Sequence, residues 1–245
     1  MAIGKSSKKK QHRTSADFLL ASGPNVPFNY VESFKSLRTN LNFIAATEKM
    51  NTIILTSAIP GEGKSNTAIN LAISLAEDNK SVVVVDCDLR KPSLNRYLKL
   101  GHNFKGVTDI LTGNATVEDA LIRFEDLKIN VLVAGAVPPN PSEMLSAEPM
   151  EQLIADLKNS FDYVLLDTPP VSVVTDAAIL GKYADGAVLC VRSNYAPKET
   201  VQLAKERLTN VGIRILGVVL TGFDAKKDSK QSAYSYTYEY EYKSN

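Results

Sequence analysis

A short glycine-rich segment, IPGEGKS at residues 59–65, has the residue types and the spacing that bind phosphate. Its glycines can turn backbone N–H groups inward toward phosphate oxygens, and a helix that begins at Lys64 adds the positive end of its dipole. Lys64 would then reach the β- and γ-phosphates of a nucleotide, while the Ser65 hydroxyl would bind Mg²⁺. The segment therefore predicts a phosphate-binding loop with nucleotide contacts from Gly61, Glu62, Gly63, Lys64, Ser65 and Asn66.

One position departs from the usual pattern of such loops, G-x4-G-K-[S/T], because Ala58 replaces the first glycine. The replacement exchanges one small residue for another. The alternative is an ordinary glycine turn that precedes a surface helix. An apolar run before the segment and an amphipathic pattern after it favour the phosphate loop over that alternative.

Three carboxylates follow two further apolar runs. Asp86 and Asp88 come after the run VVVV, and Asp167 ends the run VLLD. Open α/β sheets bind their ligands at the carboxyl ends of the strands, so these side chains are expected at one site. A buried carboxylate is costly without a cation, which a magnesium nucleotide supplies. For any single aspartate, and above all for Asp88, a helix N-cap or a turn is the alternative.

The elements that must position these groups alternate along the chain. Apolar periodicity predicts helices over residues 30–47, 64–78, 149–159, 175–184 and 197–211. Continuous apolar runs predict strands over residues 52–57, 82–86, 130–134, 162–167, 186–191 and 214–221. Such runs are typical of strands that are buried on both faces of a parallel sheet. The pattern predicts one α/β domain, a doubly wound and mostly parallel sheet with helices on both faces.

Composition excludes several other classes of protein. The chain has 245 residues, of which 44% are apolar, which rules out most disordered and collagenous classes. Cys87 and Cys190 lie in apolar runs without metal-ligand spacing, which argues against a disulfide or a zinc site. No apolar run reaches the length of about 18 residues typical of a transmembrane helix, and no secretory signal is recognisable. A cytoplasmic location is therefore expected.

The N-terminal segment is basic. Residues 1–16 contain five Lys or Arg residues and no acidic residue. This Ser-rich head could contact anionic lipid or nucleic acid. Because five cations alone bind weakly, a solvated terminus is the favoured interpretation, and no nucleic-acid partner is expected.

Three motifs together resemble those of the bacterial tyrosine kinases (BY-kinases) of capsule and exopolysaccharide operons. They are PGEGKS at 60–65, VVVVDCDLRKP at 82–92 and VLLDTPP at 164–170. The segment GAVPPNPSEML at 135–145 and a tyrosine cluster near the C-terminus are also similar to that family. A phosphate loop alone is common to many NTPases, whereas this combination is specific.

The resemblance implies a P-loop NTPase-type fold and an ATP- and Mg²⁺-dependent protein-tyrosine kinase. Lys64 and Ser65 would hold the phosphates and the metal, and Asp88 and Asp167 would position Mg²⁺. Asp86 would accept the proton of an incoming tyrosine. The residues alone leave this division of roles open, because all three carboxylates surround one cation.

The family also has a helix with the pattern E-x-x-R-x-x-R that packs neighbouring subunits into a ring. This chain has Glu32, Lys35 and Arg38 at those positions. Lys35 cannot make the two-pronged contact of an arginine, so the implied interface has a weaker basis here. The alternative is a solvated helix face with pairing between residues three apart.

A second hypothesis is a nucleotide-dependent switch without kinase activity, recruited to the membrane like the ParA-type partition ATPases. The septum-placement and partition ATPases share the fold but have an additional lysine five residues before the phosphate-loop lysine. Ile59 occupies that position in this chain. The difference counts against the switch hypothesis.

Half of the ten tyrosines lie near the C-terminus, at Tyr234, Tyr236, Tyr238, Tyr240 and Tyr242. This spacing would also suit an edge strand, but one unsupported strand is marginal in water. A flexible run of phosphate acceptors is therefore favoured. Residues 224–245 would span up to roughly 70 Å when extended and about 25 Å as a coil, which is enough to reach a neighbouring subunit. The chain thus divides into a basic segment at 1–27, a kinase domain at 28–223 and a tyrosine tail at 224–245.

The resemblance also implies the partners of this kinase. They are other copies of the chain, a transmembrane polysaccharide co-polymerase that activates the kinase, and a cognate tyrosine phosphatase. The sequence is similar to the form of the family that is encoded apart from the membrane protein. That partner would hold the chain at the inner face of the cell membrane, where the kinase would regulate polysaccharide synthesis and export.

Overall fold

The structure, a computed structural model, describes residues 19–23, 25–47, 50–101 and 103–223. Most of the basic N-terminal segment and the whole tyrosine tail lie outside these residues. Seven strands form one sheet: β1 Thr52–Ser57, β2 Val82–Asp86, β3 Ile122–Phe124, β4 Ile129–Leu132, β5 Tyr163–Asp167, β6 Gly186–Arg192 and β7 Ile215–Thr221.

Helices connect and cover these strands. The longer ones are α1 Phe28–Thr47, α2 Lys64–Glu77, α7 Glu148–Ser160 and α9 Lys198–Asn210. The shorter ones are α3 Leu94–Tyr97, α4 Val107–Leu111, α5 Val117–Ala120, α6 Pro141–Ser146 and α8 Asp176–Leu180, which continues into a 3₁₀ turn at Gly181–Tyr183. None of the helices in the described part of the chain combines the length and the apolar composition that crossing a bilayer requires.

The strand order is β3-β4-β2-β5-β1-β6-β7, and every neighbouring pair is parallel except β3 with β4. All residues of β1, β2 and β5 are buried, as their continuous apolar runs predict. One apolar core lies between the sheet and helices α1 and α2, and the other lies beneath α7, α8 and α9. The prediction of a mostly parallel sheet with helices on both faces is confirmed.

The six predicted strands are all present, with ends that differ by two residues or fewer. The sequence pattern missed β3, a three-residue antiparallel edge strand, and the short helices α3 to α6. The predicted helix at 175–184 is α8 followed by the 3₁₀ turn. Elements of three to six residues are too short to show a period, so only their contacts with the sheet define them.

Residues 19–23, called here the strap, precede α1 and contact the phosphate-loop helix α2. The buried side chain of Asn70 accepts a hydrogen bond from the Ala21 N–H at 2.6 Å and donates to the Leu19 carbonyl at 3.1 Å. The Tyr30 hydroxyl, which has a single proton to donate, lies 2.9 Å from the same Leu19 carbonyl and 3.0 Å from Asn66 Oδ1. The strap therefore fixes the start of α1 against the first turns of α2.

Candidate functional site

The phosphate loop connects β1 to α2 at the centre of the sheet. Gly61 and Gly63 have φ of 85° and 84°, a left-handed conformation that residues with a Cβ rarely adopt. Between them, Glu62 is fully buried, and its carboxylate accepts the N–H groups of Ile59 at 2.8 Å and Arg192 at 3.3 Å. The predicted alternative of a plain surface turn does not explain a buried glutamate that binds the loop from within.

The ends of β6 and β7 form an outer wall for this loop. Thr221 donates from Oγ1 to the Glu62 carbonyl at 2.8 Å, and a Cβ on Gly63 would lie 3.4 Å from the Thr221 side chain. A Cβ on Gly61 would approach the Tyr195 hydroxyl to 2.9 Å. Gly63 is therefore required by its backbone conformation, since the contact with Thr221 would be an ordinary one, whereas at Gly61 a Cβ would also displace the exposed Tyr195 side chain. Sequence reasoning identified the loop but missed this wall.

Lys64 joins the phosphate loop to the two other motifs. Its Nζ lies 3.2 Å from Asp88 Oδ2 and 3.3 Å from Asp167 Oδ1. Burial alone would lower the pKa of Lys64, but Asp167, Asp88 and Asp86 together hold that pKa above its usual value. The predicted convergence of the three motifs at one edge of the sheet is therefore present in the fold.

Asp86 is fully buried at the end of β2, where it holds the following loop. Its two carboxylate oxygens accept the backbone N–H groups of Asp88, Ser93 and Leu94 at 3.0–3.1 Å. Burial, and next the nearby charge of Asp167, raise the pKa of Asp86 to about 7, although the N–H groups of Leu94 and Ser93 and the charge of Lys64 oppose the shift. Asp86 is therefore a carboxylate that can take up a proton near neutral pH.

Asp167 at the end of β5 retains unused capacity for a ligand. Burial raises its pKa, and Lys64 and the Ser65 hydroxyl offset part of that shift. Its buried Oδ2 has no hydrogen-bond partner among the described residues. An oxygen of this kind fits a hard cation such as Mg²⁺.

Ser65 and Asp88 offer further oxygen atoms beside Asp167. The Ser65 hydroxyl lies 2.8 Å from that of Ser93, and Asp88 lines the cleft. Within the described ranges, no group of three or more His, Cys, Asp or Glu side chains is placed to hold a metal by itself. Mg²⁺ usually keeps several water and phosphate ligands, so Ser65, Asp88 and Asp167 fit a metal that arrives with a nucleotide.

Arg90 links the second motif to two segments that sequence reasoning did not connect with it. Its guanidinium donates to both oxygens of Asp176 at 2.8 and 3.1 Å, and Asp176 is fully buried. Ser142 completes this cluster, since its hydroxyl lies 2.6 Å from Arg90 Nη2 and donates to Asp176 at 2.7 Å. The cluster of Arg90, Ser142 and Asp176, called here the arginine clamp, joins the loop after β2 to α6 and α8.

A cleft of about 290 Å³ contains Lys64, Ser65 and Asp88. Besides Lys64, its lining has three cationic side chains, those of Arg90, Lys91 and Arg96, and it has apolar residues, among them Pro169, Pro170, Val173 and Val174. A larger groove of about 1110 Å³ lies beside β3, but none of its lining residues belongs to the three motifs. The smaller cleft is therefore the candidate active site.

The predicted interface residues on α1 have contacts within their own chain. Lys35 Nζ lies 2.8 Å from Glu32 Oε1, and both side chains are about two-fifths exposed. Arg38 donates to the Ser74 carbonyl near the end of α2. These contacts are compatible with a solvated helix face, and the interface stays a prediction.

Both the sequence and the structure of this chain are similar to those of known proteins. The family model described as "AAA domain" matches residues 50–212. The chain is 40% identical over 203 residues to tyrosine-protein kinase YwqD of Bacillus subtilis (strain 168), covering 83% of this chain and 84% of that protein. The crystal structure of the chimerical protein CapA2B2 matches with a TM-score of 0.77 and 34% identity, covering 84% of this chain and 90% of that one.

A more distant match is the septum site-determining protein MinD from Pyrococcus horikoshii OT3 in complex with Mg-ADP. It has a TM-score of 0.59 and 25% identity and covers 69% of each chain. This similarity supports nucleotide and magnesium binding as general properties of the fold, but nothing in it favours the partition-type switch over a kinase. The phosphate loop, the two aspartate motifs and these relatives show that the chain belongs to the bacterial tyrosine-protein kinase family.

Proposed function

We propose that this chain transfers the γ-phosphoryl group of Mg-ATP to the tyrosine cluster of a second copy, and thereby regulates capsular or exopolysaccharide synthesis and export. The observation that carries the proposal is the position of Lys64, at the start of α2 and between Asp88 and Asp167. A cation at that point can exchange these carboxylates for the β- and γ-phosphates of a bound nucleotide.

Different residues at the site have separate roles in this reaction. Backbone N–H groups of the phosphate loop and Lys64 hold the phosphates and stabilise the charge that develops in transfer. Bound through Ser65, Asp88 and Asp167, Mg²⁺ would neutralise phosphate charge. The acceptor oxygen forms a bond to the γ-phosphorus while the bond from phosphorus to the β,γ-bridging oxygen breaks, and ADP leaves. The phenolic proton passes to Asp86.

The assignment of the proton acceptor can be tested separately, because two aspartates are close to this position. Asp86 has a pKa of about 7 but gives its oxygens to three N–H groups, whereas Asp88 lines the cleft. Asp86→Asn should lower kcat at unchanged affinity for Mg²⁺, whereas Asp88→Asn should weaken Mg²⁺ binding. Titration of Mg²⁺ at saturating ATP distinguishes the two, and the reverse pattern would exchange their roles.

The transfer itself is tested with two matched forms of the full chain. A donor has its five tail tyrosines changed to Phe, and an acceptor carries Lys64→Met. Incubation of both with ATP and Mg²⁺ should add phosphate to the acceptor's tail, as measured by mass spectrometry, and each form alone should gain none. An acceptor that stays unmodified, even with a membrane partner's cytoplasmic segment present, would refute the kinase proposal for the tail.

Assembly should depend on the tail. Each phosphate adds a charge of about −1.5 to −2 at pH 7, so several within nine residues repel one another beside Glu239 and Glu241. Unmodified tails would then hold subunits together, and phosphorylated tails would release them. Light scattering should find a larger assembly for Lys64→Met than for the phosphorylated protein, and identical masses would contradict the idea.

The remaining partners of the proposal come from the family resemblance. A transmembrane polysaccharide co-polymerase would activate the kinase and hold it at the inner face of the membrane, and a cognate phosphatase would reverse the reaction. The cytoplasmic segment of such a membrane protein should raise the rate of tail phosphorylation when it is added to the full chain. A rate that does not change with this segment would argue against activation by the membrane partner.

A further inference from the structure

Two exposed cations line the cleft, and the phosphate chemistry assigns them no role. Lys91 is three residues after Asp88, and Arg96 lies in α3. Both side chains are exposed, both line the same cleft as Lys64, and neither forms an ion pair with another described residue. In contrast, Arg90 is held by the buried Asp176 in the arginine clamp. Lys91 and Arg96 are therefore the cations that an arriving substrate meets.

The lining of the same cleft also has apolar residues. Pro169 and Pro170 are buried, and Val173 is 60% exposed although it is apolar. The exposed Val173 side chain offers the kind of apolar surface against which an aromatic ring packs. A ligand that fits both the cations and this apolar surface combines a ring with negative charge close to it.

The tyrosine tail has this combination in one half. Glu239 and Glu241 alternate with Tyr238, Tyr240 and Tyr242, and no basic residue lies between 234 and 242. Tyr234 and Tyr236 have only Ala, Ser or Thr as immediate neighbours. The acidic charge of the cluster is thus confined to the three C-terminal tyrosines.

The alternation of Tyr and Glu also determines where the acidic side chains would lie when a tyrosine is bound in the cleft. In an extended chain successive side chains point to opposite sides, so Glu239 and Glu241 would point away from the inner end of the cleft if Tyr240 entered it in that conformation. The inner end of the cleft, called here the floor, consists of Lys64 and Asp88 in its lining and of Asp86 and Asp167, which are buried behind it. These three carboxylates would repel a glutamate that pointed inward. Lys91 and Arg96 are the exposed cations of the cleft lining and are called here the rim. They would attract these glutamates at any separation shorter than the Debye length, which is about 8 Å at physiological ionic strength.

We propose that Lys91 and Arg96 recognise Glu239 and Glu241 in the tail of a second copy, so that the acceptor is an acidic tyrosine peptide. Tyr240, which has a glutamate on each side, is modified first, followed by Tyr238 and Tyr242, and Tyr234 and Tyr236 are modified last. The inference rests on the proposed function and adds to it the charges that select the acceptor.

The experiment uses the full-length donor without tail tyrosines and the full-length Lys64→Met acceptor. An acceptor that also carries Glu239→Gln and Glu241→Gln should lose about five- to tenfold in kcat/KM, since each exposed ion pair contributes a factor of about two to five. A donor with Lys91→Gln and Arg96→Gln should show the same loss at an unchanged KM for ATP. Lys205→Gln, an exposed cation on α9 outside the cleft, serves as the matched control.

Charge reversal provides the sharpest result. A donor with Lys91→Glu and Arg96→Glu should phosphorylate the original acceptor poorly and recover most of its rate on an acceptor with Glu239→Lys and Glu241→Lys. Equal rates on the Glu and Gln acceptors, or an effect of Lys91 and Arg96 confined to the KM for ATP, would overturn the inference and leave the kinase proposal intact. A donor that modifies no acceptor at all would instead contradict the proposed function.

Discussion

The floor and the rim of the cleft differ in almost every physical respect. On the floor Asp86 and Asp167 are fully buried, and each functional group is held by backbone N–H groups or by Lys64. On the rim Lys91 and Arg96 are exposed and extend from a loop and a four-residue helix. The floor is therefore preorganised for a constant ligand, the phosphate chain, whereas the rim can adapt to a peptide whose sequence varies.

The largest expected effect separates the two regions through a pair of matched lysines. Lys64→Met should lower kcat by about a thousandfold, because it removes a preorganised positive charge from the transferred phosphate. Lys91→Met should leave kcat nearly unchanged and lower kcat/KM for the tail by about two- to fivefold, as expected for an exposed charge. Initial rates of tail phosphorylation measure both, and a comparable loss of kcat in the two variants would remove the distinction between floor and rim.

A smaller effect, on stability, is expected for the arginine clamp, which contributes Arg90 to the lining of the cleft. Arg90→Ala leaves the fully buried Asp176 without its cation. Breaking a pair with both partners buried costs about 3 kcal/mol or more, but the Arg90 side chain is 37% exposed, so the expected loss in the free energy of unfolding is about 2 kcal/mol. Arg90→Lys should be intermediate, because lysine cannot contact both carboxylate oxygens. Urea unfolding measures the loss.

The same clamp has a control in a double variant. Removal of both charges in Arg90→Met with Asp176→Leu should cost less than Arg90→Ala alone, since no buried charge then stays unpaired. If the double variant is instead the less stable of the two, the clamp stabilises the fold by more than charge pairing.

The next effect is a pH dependence of the free energy of unfolding, which tests whether the fold raises the pKa of Asp86. Because the pKa of Asp86 is raised to about 7 in the folded chain, the folded state binds more protons than the unfolded state between about pH 4 and pH 7. The free energy of unfolding of the nucleotide-free protein should therefore fall as pH rises toward 7, by at most about 1.4 kcal/mol per pH unit for one proton. Thermal unfolding across this range measures the slope, and Asp86→Asn should flatten it. A stability that rises with pH would contradict the assignment.

The smallest effect is expected outside the cleft, in the strap that crosses α2. Tyr30→Phe removes the hydroxyl that bonds Leu19 and Asn66, which should lower the free energy of unfolding by about 1 kcal/mol. The kcat should change by less than it does in any variant of the floor. Thermal unfolding and kcat measured on the same preparation test this, and a large loss of kcat would extend the functional region to the strap.

The sequence predicts the residues of the floor better than it predicts the residues that hold them in place. Glycine spacing and apolar periodicity are local, so Gly61, Gly63, Lys64 and the three aspartates could be identified before any contact was known. Glu62 was assigned to nucleotide contact as part of that loop, but its buried carboxylate binds the loop itself.

The supports that were missed come from distant parts of the chain. Arg192, Tyr195 and Thr221 reach the phosphate loop because β6 pairs with β1 and β7 pairs with β6. Asp176 reaches Arg90 because α8 follows β5, which pairs with β2. Strand order of this kind depends on long-range packing, and the continuous apolar runs of β1, β5 and β6 are too similar to specify their neighbours.

The contact between Thr221 and the phosphate loop sets a boundary for shortening the protein. Thr221 is the last residue of β7, and only two more residues are described before the tail begins. A version of the chain that stops before Thr221 removes the hydroxyl that holds the Glu62 carbonyl together with the tyrosines. Weak nucleotide binding by such a version would reflect a damaged loop, whereas a version that ends at Phe223 isolates the contribution of the tail.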